Sequence, residues 1–322
     1  MTDALLQVFL MITVGIIVAR LGWAEETLTQ AFSGLVLRVF LPALLFRSMA
    51  QVRFETLSFG PILGYLPVSF LLFWGVFFLV RKWGRPLGLL AAQGHDTPGG
   101  YAASVAISAV FSNTIMIGIP LVKLFYGAEG LVVLLTVITL HALVLLGSGV
   151  VAFEASVSGR SRRSRLLTMR HLFQTALLHP VVIPVFAGVG YSYSGLELPV
   201  VVDGTLAAMG QAAVPACLVL LGASVYHARH QLQPRGVGPV LFLKLVAHPL
   251  AVFLVSRWVI GLPDLTVAVL TTVASLPTGS NPYLLAQRYN QGVSISATSV
   301  VASTLLSAIS LTYVLSLFAS QG

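Results

Sequence analysis

"FSNTIMIGIP", residues 111–120, sets Ser112, Asn113 and Thr114 beside Gly118 and Pro120 inside an apolar stretch that extends from about 101 to 126. A run of roughly 20 apolar residues crosses a bilayer as a helix, and polar residues and helix breakers at its centre are costly there. A second stretch repeats the pattern. "SLPTGSNP", 275–282, puts Ser275, Pro277, Thr278, Gly279, Ser280, Asn281 and Pro282 inside the apolar segment 264–290. Proline removes a backbone donor and clashes with the preceding turn, so both helices are expected to unwind near the middle of the membrane. Irregular backbone at that depth is tolerated only against protein or a water-filled cavity. The half-helices point their positive N-terminal ends at each break, and Asn113 and Asn281 add amide donors without a fixed charge. Proline and glycine also kink packed membrane helices that bind nothing. Two matched breaks, each with an asparagine and several hydroxyls, favour a site for a small anion, a carboxylate.

Working outward, the membrane assignment rests on composition. The chain is 57% hydrophobic and 9% charged, with a mean hydropathy of +0.93, whereas soluble domains are about one quarter charged. Ten apolar segments are expected to span: 4–21, 28–50, 59–80, 101–126, 129–153, 171–194, 199–225, 237–260, 264–290 and 294–318. They are long and continuous, unlike the short alternating strands of a membrane barrel, so the fold class is an all-α membrane protein. No inter-span stretch is long enough to fold as a soluble domain. The N-terminus lacks a basic region and a small-residue cleavage site, so 4–21 is read as a retained span rather than a signal peptide.

The net charge of +8 is distributed unevenly. Arg20, Arg81, Lys82, Arg85, Arg160, Arg162, Arg163, Arg165, Arg170, Arg229, Arg235 and Arg288 fall on one face, and Arg47, Arg53, Lys123 and Arg257 on the other. That bias makes the first face cytoplasmic and sets both termini outside. "RSRRSR", 160–165, is read as a topology anchor, not a nucleic-acid patch. The single cysteine, Cys217, lies within a span and excludes an internal disulfide framework.

The loop 154–170 divides the chain into 1–153 and 171–322, with five expected spans in each. An odd number per half sets two similar halves in opposite orientations, a 5+5 inverted repeat. "GIPLVKLFYGAEG" and "SNPYLLAQRYNQG" align Pro120 with Pro282 and Gly130 with Gly292, both at an offset of 162.

Ionisable residues within spans are pointers to function. Arg38 and Lys244 are candidates for balancing a bound anion. His141, His179 and His248 are expected to be hydrogen-bonded structural residues. Neither break contains an acid, which disfavours cation coupling through a buried carboxylate, although backbone carbonyls also hold sodium. No H-E-x-x-H, G-x-S-x-G or G-K-[ST] phosphate loop is present, and the chain is not read as an enzyme. No metal site or cofactor is expected.

With these residues identified, the chain resembles the auxin efflux carrier family, most strongly at "NTIMIGIPLVKLFYG" (113–127) and "SLPTGSNPYLLAQRYN" (275–290), and also at "FLPALLF" (40–46) and "GASV" (222–225). It differs from the plant members in having Phe111 and Ser112 where they have Leu-Pro, Thr278 and Gly279 where they have Gln-Gly, and no acid in the third span. The resemblance implies proline-broken fourth and ninth helices that cross, with a scaffold of the first, second, sixth and seventh spans. It also implies a mobile unit from the rest, elevator-type alternating access and a homodimer. Carried over residue by residue, the substrate carboxylate is expected at Asn113, Pro120, Pro277, Asn281 and Pro282, with Thr114 in the same break. The expected function is secondary transport of small organic anions, either auxin-like or mono- and dicarboxylic acids. A sodium- or proton-coupled carboxylate symporter and an anion channel are the alternatives.

Overall fold

A computed structural model describes residues 2–51, 58–84, 96–156, 182–228 and 236–319. Most of the basic loop 154–170, including "RSRRSR", the start of the sixth expected span and His179 lie outside the described residues. Among the described residues the chain is all-helical, without strands. The helices are α1 (Thr2–Arg20), α2 (Glu26–Ala50), α3 (Gly60–Trp83), α4 (Pro98–Val110), α5 (Thr114–Glu154), α6 (Val182–Tyr193), α7 (Val200–Ala228), α8 (Val237–Val259), α9 (Asp264–Ser275), α10 (Asn281–Tyr289) and α11 (Val293–Ala319). Of these, α2, α3, α5, α7, α8 and α11 are each long and apolar enough to cross a membrane. The protein is an integral membrane protein.

Proline shapes these helices in a recurring way. Wide π-helical turns occupy Val36–Phe40, Thr114–Gly118 and Leu243–Ala247. In each case a proline, Pro42, Pro120 or Pro249, follows within the next turn. A proline ring cannot donate to, and crowds, the carbonyl one turn back, and a widened turn relieves that clash. Arg38 and Lys244 both sit in such turns.

A kink divides α5 at Gly127, where φ is 66° and ψ −152°. The sequence alignment pairs Gly130 with Gly292, but of those two only Gly292 has positive φ, at 56°. The reversal needs a residue without Cβ, and in the first half it falls at Gly127.

The chain folds into two compact units, each assembled from non-contiguous segments. The first comprises Met1–Phe59, Thr114–Thr139 and Leu177–His227. Within it α1 and α7 pack backbone to backbone: a Cβ on Gly15 would lie 1.9 Å from the Val219 carbonyl oxygen, and one on Gly222 would lie 1.9 Å from that of Ile12. Lipid tails offer no hydrophobic drive for helices to associate, so close approach through small residues supplies the contact energy instead. Arg47 on α2 grips Asp203 on α7 through two bonds of 2.8 and 2.9 Å, and Gln51 adds a third at 2.9 Å. Leu6, Leu10, Val14 and Ile17 form an exposed apolar stripe on α1, suited to lipid.

The second unit comprises Gly60–Asn113, Leu140–Ala176 and Ala228–Gly322. α4 is its axis, with every residue from Gly99 to Val110 buried. Phe73 and Phe77 of α3, Leu145 and Phe153 of α5, Val240 of α8 and Leu285 of α10 close around it. The far end of α4 is pinned by polar contacts. Thr97 donates from both N and Oγ1 to Gln291 Oε1, Ser104 Oγ donates to the Gln291 carbonyl, and Gly292 N donates to Asp96. This rigid end holds the opposite end, where α4 breaks.

Candidate functional site

α4 stops at Val110 because the chain turns extended at Phe111, with φ −80° and ψ 102°. α9 stops at Ser275 for the same reason at Leu276, with φ −58° and ψ 148°. A residue before proline is pushed from helical to extended conformation, and Leu276 precedes Pro277. The two extended stretches meet. Ser112 and Thr278 form an isolated antiparallel bridge, in which Asn113 N donates to the Pro277 carbonyl at 2.8 Å and Gly279 N to the Phe111 carbonyl at 3.0 Å. A Cβ on Gly279 would stand 3.1 Å from the Phe111 ring, tighter than ordinary contact, so the missing side chain lets the two extended stretches approach. The helical hydrogen bonds lost at the breaks are thus partly replaced by bonds between them.

Side chains lock the bridge. Thr278 Oγ1 donates to the Ser108 carbonyl at 2.8 Å, and Thr278 N donates to Ser303 Oγ at 2.9 Å. Lys244 Nζ donates to Ser112 Oγ at 3.0 Å and to the Ala274 carbonyl at 2.5 Å. Ser112 Oγ also lies 3.0 Å from the Tyr65 hydroxyl. Beyond it, Ser69 Oγ pairs with His248 Nε2 at 2.8 Å, and the Tyr65 ring stands between His248 and His141, with centroids 5.5 and 5.8 Å away. His141 also packs on Phe111 at 4.6 Å. His248 has the structural hydrogen bond expected of it; His141 Nε2 has none among the described residues.

The sequence-derived residues separate cleanly. Asn113, Pro277, Asn281, Pro282 and Lys244 all belong to the second unit, whereas Thr114, Pro120 and Arg38 belong to the first. Asn113 and Asn281 are half-buried, and α10 begins at Asn281 with Pro282 in its first turn, where a missing N–H costs nothing. The two basic candidates differ sharply: Lys244 is fully buried, and Arg38 is exposed. Tyr65, Ser69, Ser112 and Thr278 were not singled out as ligands from sequence. Tyr65 and Ser69 do carry a signal, because a polar pair four apart on an apolar helix shares one face.

The chain is 25% identical over 165 residues to a Rhizobium meliloti protein named "Putative malonate transporter", covering 51% of this chain and 52% of that protein. It therefore spans about half the length of that relative. It is 24% identical over 313 residues to an "Uncharacterized transporter" of Methanothermobacter thermautotrophicus, covering 96% of each. It is also 25% identical over 321 residues to the mouse "Lysosomal cholesterol signaling protein", covering 95% of this chain but 36% of that protein. A family model described as "Membrane transport protein" matches residues 1–315, so the chain belongs to that family, which is the family of the auxin efflux carriers.

Proposed function

We propose that the protein is a secondary transporter of small carboxylates, which holds its substrate at the paired breaks between α4 and α5 and between α9 and α10. The observation that carries this reading is the backbone bridge of Ser112 with Thr278, because it gathers Asn113, Asn281 and the start of α10 around one irregular segment in the second unit. Helix N-termini and amide donors favour an anion, and Lys244 adds a positive charge beside them. The name of the Rhizobium meliloti relative points to malonate as the first dicarboxylate to try.

In this reading the chain spans the membrane ten times as a 5+5 inverted repeat, with the broken fourth and ninth spans crossed and both termini outside the inner membrane. α1, α2, α6 and α7 are the scaffold through which a homodimer forms, and the other helices carry substrate across as an elevator. Chemical transformation of the substrate has no part in it. The grouping of α1, α2, α6 and α7 in the first unit supports the reading, and the stretch Thr114–Thr139 of α5 falls there with them.

The experiment is current recording from purified protein in liposomes, challenged with acetate, malonate, succinate and indole-3-acetate. A saturable current for at least one acid, reduced in Asn113→Ala and Asn281→Ala, is expected. If currents and labelled uptake are both absent for every acid, the substrate class is wrong. If the two variants transport as the wild type does, the site is wrong.

A further inference from the structure

Lys244 is 0% exposed, and among the described residues no carboxylate stands within ion-pair distance of it. Helix ends explain its position. In a continued α9 the Thr278 N–H would bond to the Ala274 carbonyl, but Thr278 turns to Ser303 and Ala274 accepts from Lys244 instead. Its other acceptor, Ser112, lies just beyond the C-terminal end of α4. The ammonium therefore sits where the C-terminal ends of two interrupted helices converge, and such ends carry partial negative charge. Unwound carbonyls and half-helix C-termini are the groups with which membrane carriers hold a coupling ion.

Among the described residues the surroundings add no acid. α3 contributes Tyr65 and α5 contributes His141, while α8 itself carries His248. α4 brings only Tyr101 as a titratable group, and α11 only the exposed Tyr313. The one acid of α9, Asp264, is at its opposite end and paired with Arg257. An ammonium has three N–H donors. Ser112 and Ala274 take two, and the third has no acceptor among the described residues. A buried charge in that condition is costly until a counter-charge arrives.

We infer that Lys244 is a built-in coupling cation: its ammonium holds the place a sodium ion would take at the paired breaks and supplies the counter-charge for the carboxylate, so that transport runs without sodium. This rests on the carboxylate reading above. The remaining N–H of Lys244 is then the donor that meets the substrate.

The test is calorimetric titration of malonate, and in parallel of acetate and succinate, into the purified full-length protein, in sodium chloride and in choline chloride at equal ionic strength, for the wild type, Lys244→Gln and Lys244→Arg. Wild-type affinity is expected to be the same in both salts. Lys244→Gln keeps an N–H donor but loses the charge, and is expected to bind about thirtyfold more weakly. Lys244→Arg keeps the charge and is expected to stay the tighter of the two variants. Sodium-enhanced binding by the wild type overturns the inference, and so does a Lys244→Gln affinity equal to wild type. If Lys244→Gln does not fold, the salt comparison on the wild type and the retention of binding by Lys244→Arg decide in its place. Absence of malonate, acetate and succinate binding in both salts is a separate failure, which removes the carboxylate reading and this inference together.

Discussion

Asn113 and Asp203 illustrate how differently two polar residues act in one membrane protein. Asn113 N donates to the Pro277 carbonyl in the bridge, a backbone bond that a change of side chain leaves in place. Asn113→Ala is expected to weaken carboxylate binding about tenfold, because one hydrogen bond to a charged group contributes about 1.5–3 kcal/mol. Circular dichroism should show unaltered helix content, and titration calorimetry would measure the loss. Asp203 instead pairs with Arg47, and the two side chains are 30% and 32% exposed. Pairs of that kind contribute about 1 kcal/mol or less. Asp203→Asn should therefore lower the thermal unfolding temperature only slightly and leave transport unchanged; a large loss of transport would give that pair a role in the mechanism.

At the scale of elements, the decisive contacts are those in which backbone meets backbone. The α1–α7 pairing leaves no room for a side chain at Gly15 or Gly222. Gly222→Leu must separate the helices, with a cost of at least the 1–3 kcal/mol typical of overpacking, visible as early unfolding in detergent. Gly204 lies on the same helix with open space around it, and Gly204→Ala serves as the control with little expected change. The paired breaks respond differently. Thr278→Val keeps the side-chain shape but removes the donor to the Ser108 carbonyl. About 1 kcal/mol of stability should be lost, with a larger fractional fall in transport rate if the bridge carries the proposed carboxylate site, because that bond aligns the bridge.

At the scale of the whole molecule, each of the two units is assembled from three non-contiguous stretches of chain. Every described partner of Lys244 lies in the second unit, and α1 and α7 pack together in the first. In the elevator reading the site returns after each delivery, so labelled malonate uptake is expected to accelerate when unlabelled malonate is placed on the far side. A pore passes label without that acceleration. Uptake unaffected by the far-side substrate would favour the channel alternative over the elevator.

Much of this protein was legible in the chain alone. Apolar run length and the scarcity of charge dictate membrane helices, because a backbone in lipid must satisfy its own hydrogen bonds. Proline and glycine within 111–120 and 275–282 dictate where two of them break, since proline chemistry is local. Long-range juxtaposition was not legible. Nothing in the spacing of Lys244, Ser112, Tyr65 and Ala274 indicates that they share one buried network, because their meeting depends on how α3, α4, α8 and α9 pack. Arg38 and Lys244 read alike in sequence, each a base in a span just ahead of a proline, and only packing exposed the one and buried the other. The local rules of the backbone determined where the helices form and fail; the tertiary structure decided which failures meet and which charge stands between them.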